Sequence, residues 1–441
     1  MRSPGRTRAR ALARAIRSCR DERGFTMIEV AVAILIFAVL VVGMTVTMSS
    51  SLNLVRNDRN RSVAANLAAQ EMDTARSTDF PDLPIGQYVH TEDVGGVSYT
   101  VTRESEWVTK DALAGACDAP SGSRPAYLRI DVSVTWQAMT GVRPVAAHTI
   151  VTPPVGAYDP NSGHIAVSVV DRDGQSQGGV PISVAGPQNE SQITNSDGCA
   201  FFAFLPAGSY TVAASSLGYV DLQGVATPTQ AASVVVAATT SIQFQYDQAA
   251  TLALTPIGKD LGSAAPPDVA VTLFNTHLLP TGMVVFPGVG VPRTIADLFP
   301  YADGYEAWAG SCADADPASY EEGSRGDPIP TEPGTTTAAN VLMPEIRVTI
   351  QHFDSDLGAM VPVPGKQIDA AHSPGDGCAS GESHSIGQTD ANGQIVFALP
   401  YGTWTVTVDG GAVWSGSVTL SPASDPGDGD GSWPYDIAVE T

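Results

Sequence analysis

The hydrophobic pattern divides the chain into an apolar N-terminal run and a long alternating remainder. Val30 to Val42 is unbroken by any polar residue, and the apolar character extends from Phe25 to Met48. A helix over these residues is about 36 Å long at ~1.5 Å per residue, enough to span a bilayer. From Leu52 to Arg76 the period changes. Leu52, Val55, Val63, Leu67 and Met72 recur at helical spacing, so the helix is predicted to continue as an amphipathic segment and to stop before Pro81. Beyond it the period falls to two. Val97–Thr102, then Leu128, Ile130, Val132, Val134 and Trp136, then Val145–Val151 read as strands. The fold class predicted is α+β: one long N-terminal helix with a small antiparallel sheet, then tandem all-β sandwiches.

Pro153-Pro154 and the turn-rich stretch at 159–163 mark a linker, after which the pattern repeats. In the first copy Ile165, Val167 and Val169 alternate and Asp173-Gly174 turns. Val180-Pro-Ile-Ser-Val184, Thr194-Asn-Ser-Asp-Gly198 and Pro206-Ala-Gly208-Ser-Tyr210 follow. The last copy echoes it with Ile346, Val348 and Ile350, then Thr389-Asp-Ala-Asn-Gly393 and Pro400-Tyr-Gly402-Thr-Trp404. A degenerate middle copy holds Val269, Val271 and Leu273, then Pro300 to Trp308. Gly208, Gly304 and Gly402, which we place in the last hairpin of each copy, set a domain-sized period. Each copy is expected to be a small antiparallel sandwich. The expected boundaries are 1–24 leader, 25–48 apolar helix, 49–155 head, and 160–248, 250–338 and 342–441 for the three sandwiches.

Charge adds a direction to the apolar run. The first 24 residues hold eight arginines against Asp21 and Glu22, whereas the whole chain carries a net charge of −23. The arginine-rich side is expected to stay cytoplasmic. The acidic body repels phosphate backbones, so we expect no nucleic-acid partner. A secretory signal peptide fits poorly, because no A-x-A-like cleavage site follows the apolar run. Glu29 stands out. A carboxylate at that depth of a membrane helix is costly unless paired, although a helix N-terminus favours a negative charge.

Arg23-Gly24-Phe25-Thr26-Met27-Ile28-Glu29-Val30 resembles the type III signal of type IV prepilins and pseudopilins. The resemblance implies cleavage between Gly24 and Phe25 by a prepilin peptidase, and N-methylation of Phe25. It also implies pairing of Glu29 with the N-terminal amine of a neighbouring pilin subunit. Freeing that amine creates a cation that Glu29 is placed to neutralise. Residues 66–76 and 127–136 look like PilV-type minor pilins. The repeated sandwiches resemble carboxypeptidase regulatory-like, prealbumin-type domains, a family that carries no catalytic residues over to this chain.

The remaining chemistry is sparse. Cys19 lies in the leader. Cys117, Cys199, Cys312 and Cys378 form an even set that allows three pairings, with spacing too wide for a metal knuckle. From their places in the repeats we expect a 312–378 bridge and a 117–199 bridge tying the head to the first sandwich. The seven histidines form no H-E-x-x-H pair, and no G-x-S-x-G or P-loop sequence occurs. His372, Cys378 and His384 on one loop, and Asp425, Asp428 and Asp430 in the tail, read better as solvated loops than as metal sites. Asp171 and Asp173 read as shaping a hairpin turn. Lys259 and Lys366 do not occupy matching positions, and residues 436–441 carry neither L-P-x-T-G nor an apolar tail. A sortase-anchored, isopeptide-stitched pilin is therefore not expected. No enzyme, cofactor or metal is expected. The leading expectation is a minor pilin or pseudopilin, inserted in the cytoplasmic membrane and assembled into a cell-surface filament, with its sandwiches displayed for adhesion or protein interaction. The alternative is a membrane-anchored protein that uses the helix only as anchor and binds carbohydrate or protein. A clustered aromatic face would favour glycan.

Overall fold

The computed structural model describes residues 26–80, 83, 85–109, 116–117, 122–137, 139, 142–154, 161–288, 290–321, 323–372, 381–422 and 435–440. Helix α1 runs without a break over Met27–Ser77. It is followed by β1 (Gly86–Val94), β2 (Val97–Thr109), β3 (Pro125–Trp136) and β4 (Val145–Val151), which form a sheet in the order β1-β2-β3-β4. On β3 Leu128, Ile130, Val132, Val134 and Trp136 are buried, as their alternation requires.

The described residues fall into two compact units. The smaller comprises residues 26–74 with Val89–Thr102 and Val132–Ala147. In it the Tyr99 hydroxyl donates to Asn60 Oδ1 at 3.3 Å, and Tyr99 packs against Trp136. The buried stripe of the helix matches the expected one only in its C-terminal part. Met72 is buried as expected and Val63 and Leu67 are half-buried, but Ala64 and Ala68 are buried beside them and Leu52 and Val55 are exposed. Small side chains recurring every fourth residue let a helix approach its neighbour closely, and alanine is not conspicuous in a hydrophobicity pattern.

The larger unit comprises Ala75–Tyr88, Arg103–Asp131 and His148–Thr441, and contains three successive sandwiches. The first is built from β5 (Ser162–Val170), β6 (Pro181–Ala185), β7 (Glu190–Ile193), β8 (Cys199–Pro206), β9 (Gly208–Ala214), β10 (Tyr219–Asp221), β11 (Thr229–Val234) and β12 (Thr239–Gln248). Its sheets are β10-β12-β5-β8 and β11-β9-β6-β7. Ile165, Val167, Phe202, Tyr210, Val212 and Phe244 fill the space between them. The second is built from β13 (Ala250–Gly258), β14 (Val271–Phe274), β15 (Met283–Phe286), β16 (Arg293–Leu298), β17 (Glu306–Ala309) and β18 (Thr336–Met343), in sheets β16-β13-β18 and β15-β14-β17. The third contains β19 (Glu345–Asp354), β20 (Ala359–Pro362), β21 (Gln367–His372), β22 (Glu382–Gln388), β23 (Gln394–Ala398), β24 (Gly402–Val408), β25 (Trp414–Leu420) and β26 (Tyr435–Glu440). Its sheets are β20-β19-β23, with β26 also on β19, and β22-β21-β24-β25.

Two expectations are corrected. The sandwiches are not purely antiparallel, because in each one the first and last strands pair in parallel. Residues Thr239–Gln245 lie beside His164–Val170, Thr336–Met343 beside Thr251–Gly258, and Tyr435–Glu440 beside Ile346–Gln351. Alternation encodes the buried face of a strand and carries no information on its direction. The turn expected to be the last hairpin is not one: the Pro206–Gly208 segment, like the Thr194–Gly198 segment before it, joins strands of different sheets and is a corner of the sandwich. The turn at Asp173-Gly174 is a local hairpin turn, with Val170 bridged antiparallel to Ser176, before the chain crosses to β6.

The chemistry of the corners explains why they repeat. The Thr194 hydroxyl accepts from the Val180 amide and donates to the Gln177 carbonyl, both at 2.9 Å. Thr389 does the same between the Lys366 amide, at 3.0 Å, and the Val363 carbonyl, at 3.1 Å. Asn195 Oδ1 accepts from the amides of Asp197 and Cys199, and Asp390 Oδ1 from those of Asn392 and Gln394. Gly198 and Gly393 adopt positive φ, and a Cβ at either would lie within 2.5 Å of a carbonyl oxygen. The second corner is closed by a buried aromatic ring. Tyr210 donates to the Pro206 carbonyl at 3.0 Å, Tyr305 to Phe299 at 2.8 Å and Trp404 to Pro400 at 2.9 Å. Asp171 Oδ1 caps the Asp173 and Gln175 amides in the same manner.

Candidate functional site

The site singled out by sequence lies at the start of α1. Gly24 and Phe25 are outside the described residues, and the helix is entered through Thr26. The Thr26 carbonyl accepts from the amides of Glu29 at 2.9 Å and Val30 at 3.2 Å, and its hydroxyl lies 3.4 Å from the Glu29 nitrogen. Thr26 thus caps the helix and places Glu29 in its first turn. There a carboxylate faces the positive end of the helix dipole.

Below Glu29 the helix offers only apolar side chains for several turns. Its most apolar 18-residue window has a mean hydropathy of 2.8 and none of it is buried in the protein. Phe37 and Leu40 are 67% and 56% exposed. The polar residues that follow are satisfied internally. Thr45 donates its hydroxyl to the Val41 carbonyl at 2.8 Å, Thr47 to Gly43 at 2.6 Å and Ser51 to Thr47 at 3.0 Å. A hydroxyl bonded back to the preceding turn asks nothing of its surroundings, so these residues are compatible with an apolar environment. Among the described residues, α1 is the one helix long and apolar enough to cross a membrane.

The cysteines and acidic groups lie in the larger unit. Cys117 and Cys199 are joined in a disulfide with a Cα–Cα distance of 5.8 Å. Around it, Asn195 donates to Glu106 at 2.9 Å and Glu104 accepts from the Ser196 amide at 2.8 Å. Arg129 pairs with Glu106 at 2.6 Å. Cys312 is also disulfide-bonded. Cys378 and the tail aspartates 425, 428 and 430 lie outside the described residues.

The two histidines considered as ligands are committed to carboxylates of the second sandwich. His372 Nε2 is 2.8 Å from Asp314 Oδ2 and His384 Nδ1 is 2.8 Å from Asp268 Oδ1. Glu382 lies 3.6 Å from the other nitrogen of His384 and accepts from the Ser311 amide at 2.8 Å. Burial opposes a charge on His384, but the hydrogen bonds and charges of Glu382 and Asp268 outweigh it and raise the pKa of the ring. Cys312, Asp314 and His372 bring donor atoms within 4.8 Å of one another. With the Cys312 sulfur held in a disulfide there is no thiolate to complete a metal site. Lys366 pairs with Asp409 at 2.7 Å.

Comparison with known proteins bears on the N-terminus. Residues 19–45 match the family model of the prokaryotic N-terminal methylation motif. The chain therefore carries a prepilin-type N-terminus on an apolar helix, followed by β-rich domains. No curated protein matches the chain. Among solved structures, the TIE protein of Bacillus anthracis is 12% identical, with 83% of this chain and 75% of that one covered and a TM-score of 0.20. BcpA, the major pilin subunit of Bacillus cereus, is 11% identical over 64% of this chain and 99% of its own, with a TM-score of 0.19. GBS52, the minor pilin of Streptococcus agalactiae, is 14% identical over 41% and 95%, with a TM-score of 0.20.

Proposed function

We propose that the chain is a minor type IV pilin or pseudopilin. It enters the cytoplasmic membrane through α1, leader side inward, and joins a surface filament through that helix, with the three sandwiches displayed for adhesion or protein interaction. The observation that carries the reading is the match of residues 19–45 to the methylation motif, together with Glu29 in the first turn of a 51-residue helix. A prepilin peptidase cuts between Gly24 and Phe25 and the new amine is methylated. In the apolar filament core that amine needs a counter-ion, and Glu29 of a neighbouring subunit supplies it. Size supports a low-copy role, since a head followed by three sandwiches crowds a lattice of identical subunits. The role is one of assembly and interaction, with no catalytic step.

Mass spectrometry of the mature N-terminus, with localisation to sheared filaments, tests it. The expected terminus is N-methyl-Phe25, and Gly24→Ser should leave the leader attached. A wild-type protein that keeps Met1 in a cell with active prepilin peptidase sinks the proposal.

A further inference from the structure

The inner face of a sandwich strand ordinarily carries apolar residues. On β15 these are Val284 and Phe286, both packed on the core of the second sandwich. β22, which has the corresponding place in the third, keeps Ile386 on the core but also carries Glu382 and His384, which are engaged by Ser311 and Asp268 of the second. In the first sandwich that place belongs to β7, an edge strand paired only with β6. Gln188, just before the strand, and Glu190 and Gln192 on it recur at the strand period and line a cavity of about 490 Å³. Gln192 Oε1 is buried without a hydrogen-bond partner. A polar ladder on a face that packing would make apolar, with an acceptor left unpaired, breaks the local rule in the way ligand sites do.

Part of the same lining is aromatic. Phe80 and Phe204 belong to it, with Trp107 edge-on to both phenylalanines at 5.7 and 5.5 Å. Trp107 is fully buried behind the lining, and its indole Nε1 also lacks a partner. Phe204 is half-buried and sits at φ +60°. A bulky residue in that region is strained and persists only where its surroundings hold it. The Phe204 amide donates to His164 Nδ1 at 3.0 Å, and its ring stands edge-on to the imidazole at 5.0 Å. The contacts with His164 thus hold the strained residue with its ring in the lining that the amides and the carboxylate share.

We propose that this cavity binds a neutral saccharide, one or two pyranose rings in size. Its volume lies within the range of small-ligand sites. A pyranose has an apolar C–H face suited to the Phe204 ring and a rim of hydroxyls suited to acceptors and donors such as Gln188, Glu190 and Gln192. No lysine or arginine lines the cavity, and its single carboxylate repels anions, so acidic sugars and phosphates are excluded. This inference goes beyond filament assembly and does not depend on it.

The test is saturation-transfer NMR on the detergent-solubilised full chain. The probes are methyl β-galactoside, methyl α-mannoside, N-acetylglucosamine and lactose, with sialic acid as the anionic control and a tetra-alanine peptide as the non-sugar control. Transfer to the ring protons of at least one neutral sugar, and none to sialic acid, is the expected result. The double variant Gln188→Ala/Glu190→Ala alters two side chains at the cavity rim and should weaken that binding by about tenfold while leaving the melting temperature unchanged. Phe204→Leu should weaken it as well. Silence from all four neutral sugars, transfer to the peptide alone, or binding unchanged in the double variant overturns the proposal. A chain that binds sugar but stays out of filaments sinks only the assembly reading.

Discussion

Glu29 and His164 show how one charge state, placed well or badly, decides what a residue does. Glu29 is held in the first turn of α1 above an apolar stretch. Glu29→Gln and Glu29→Ala should both be processed and retained in the membrane, because cleavage depends on the leader and the apolar run. Both should enter filaments poorly, and sheared-filament blots against membrane fractions measure the difference. Normal incorporation of both would reduce Glu29 to a helix-end charge. His164 works in the opposite sense, since its ring must stay neutral to accept the Phe204 amide. Burial, helped by the nearby Arg124 charge, lowers its pKa from 6.5 to about 4. As pH falls below 6.5 the unfolded chain takes up this proton before the folded one does. Stability that is full above that value should therefore decline down to about pH 4, by at most ~3 kcal/mol. Denaturant midpoints measured across that interval should flatten in His164→Gln.

At the scale of elements, the corners are where sequence was most informative and also where it misled. Thr194, Asn195 and Gly198 announce themselves as a motif because the turn that Asn195 Oδ1 closes onto the Asp197 and Cys199 amides is local, and Asp390 repeats it with Asn392 and Gln394 for the same reason. Whether such a turn joins two strands of one sheet or crosses between sheets depends on partners far along the chain, so hairpin and corner read alike. The alanine stripe of α1 was missed because small side chains leave no mark on a hydrophobic pattern. The N-terminal methylation motif was legible because it is a run of contiguous residues whose chemistry is local. The ladder on β7 left a trace in the polar alternation Gln188, Glu190, Gln192, but the aromatic part of the lining comes from residues as distant as Phe80. The turns also give a graded test. Gly198→Ala places a Cβ 2.5 Å from the Val169 carbonyl at φ +68°, whereas Gly174→Ala at φ +74° meets open space. The first should cost about 3 kcal/mol and the second about 1 kcal/mol in equilibrium unfolding. Equal costs would show that backbone strain alone matters.

Across the larger unit, the second and third sandwiches are joined by side chains, among them His384 of the third and Asp268 of the second. His384 is clasped by Asp268 and Glu382, and its raised pKa means the folded state holds the proton more tightly than the unfolded chain. That stabilisation is fully present below the unfolded value of 6.5 and is lost as pH rises through the higher folded one. Hydrogen exchange at β21 and β22 should therefore quicken from mildly acidic to mildly alkaline conditions beyond the intrinsic rate change. Asp268→Asn should blunt the effect, and an exchange profile indifferent to this change would assign the clasp no energetic role. His164 and His384 thus oppose each other, one weakening the fold toward acid and the other toward alkali.

The parallel pairing of first and last strands has a mechanical consequence. A chain that enters each sandwich on one strand and leaves on its parallel neighbour does so at opposite ends, and the hand-over from β12 to β13, or from β18 to β19, takes a single residue. Tension drawn along the backbone through β5 and β12, β13 and β18, or β19 and β26 slides the two strands past each other. The rungs between them then share the load in shear, where a hairpin pulled from one end would unzip rung by rung. Resistance to such pulling is set by the rate of rupture and not by equilibrium stability. Each sandwich is thus wired as a load-bearing link, whatever its thermodynamic margin.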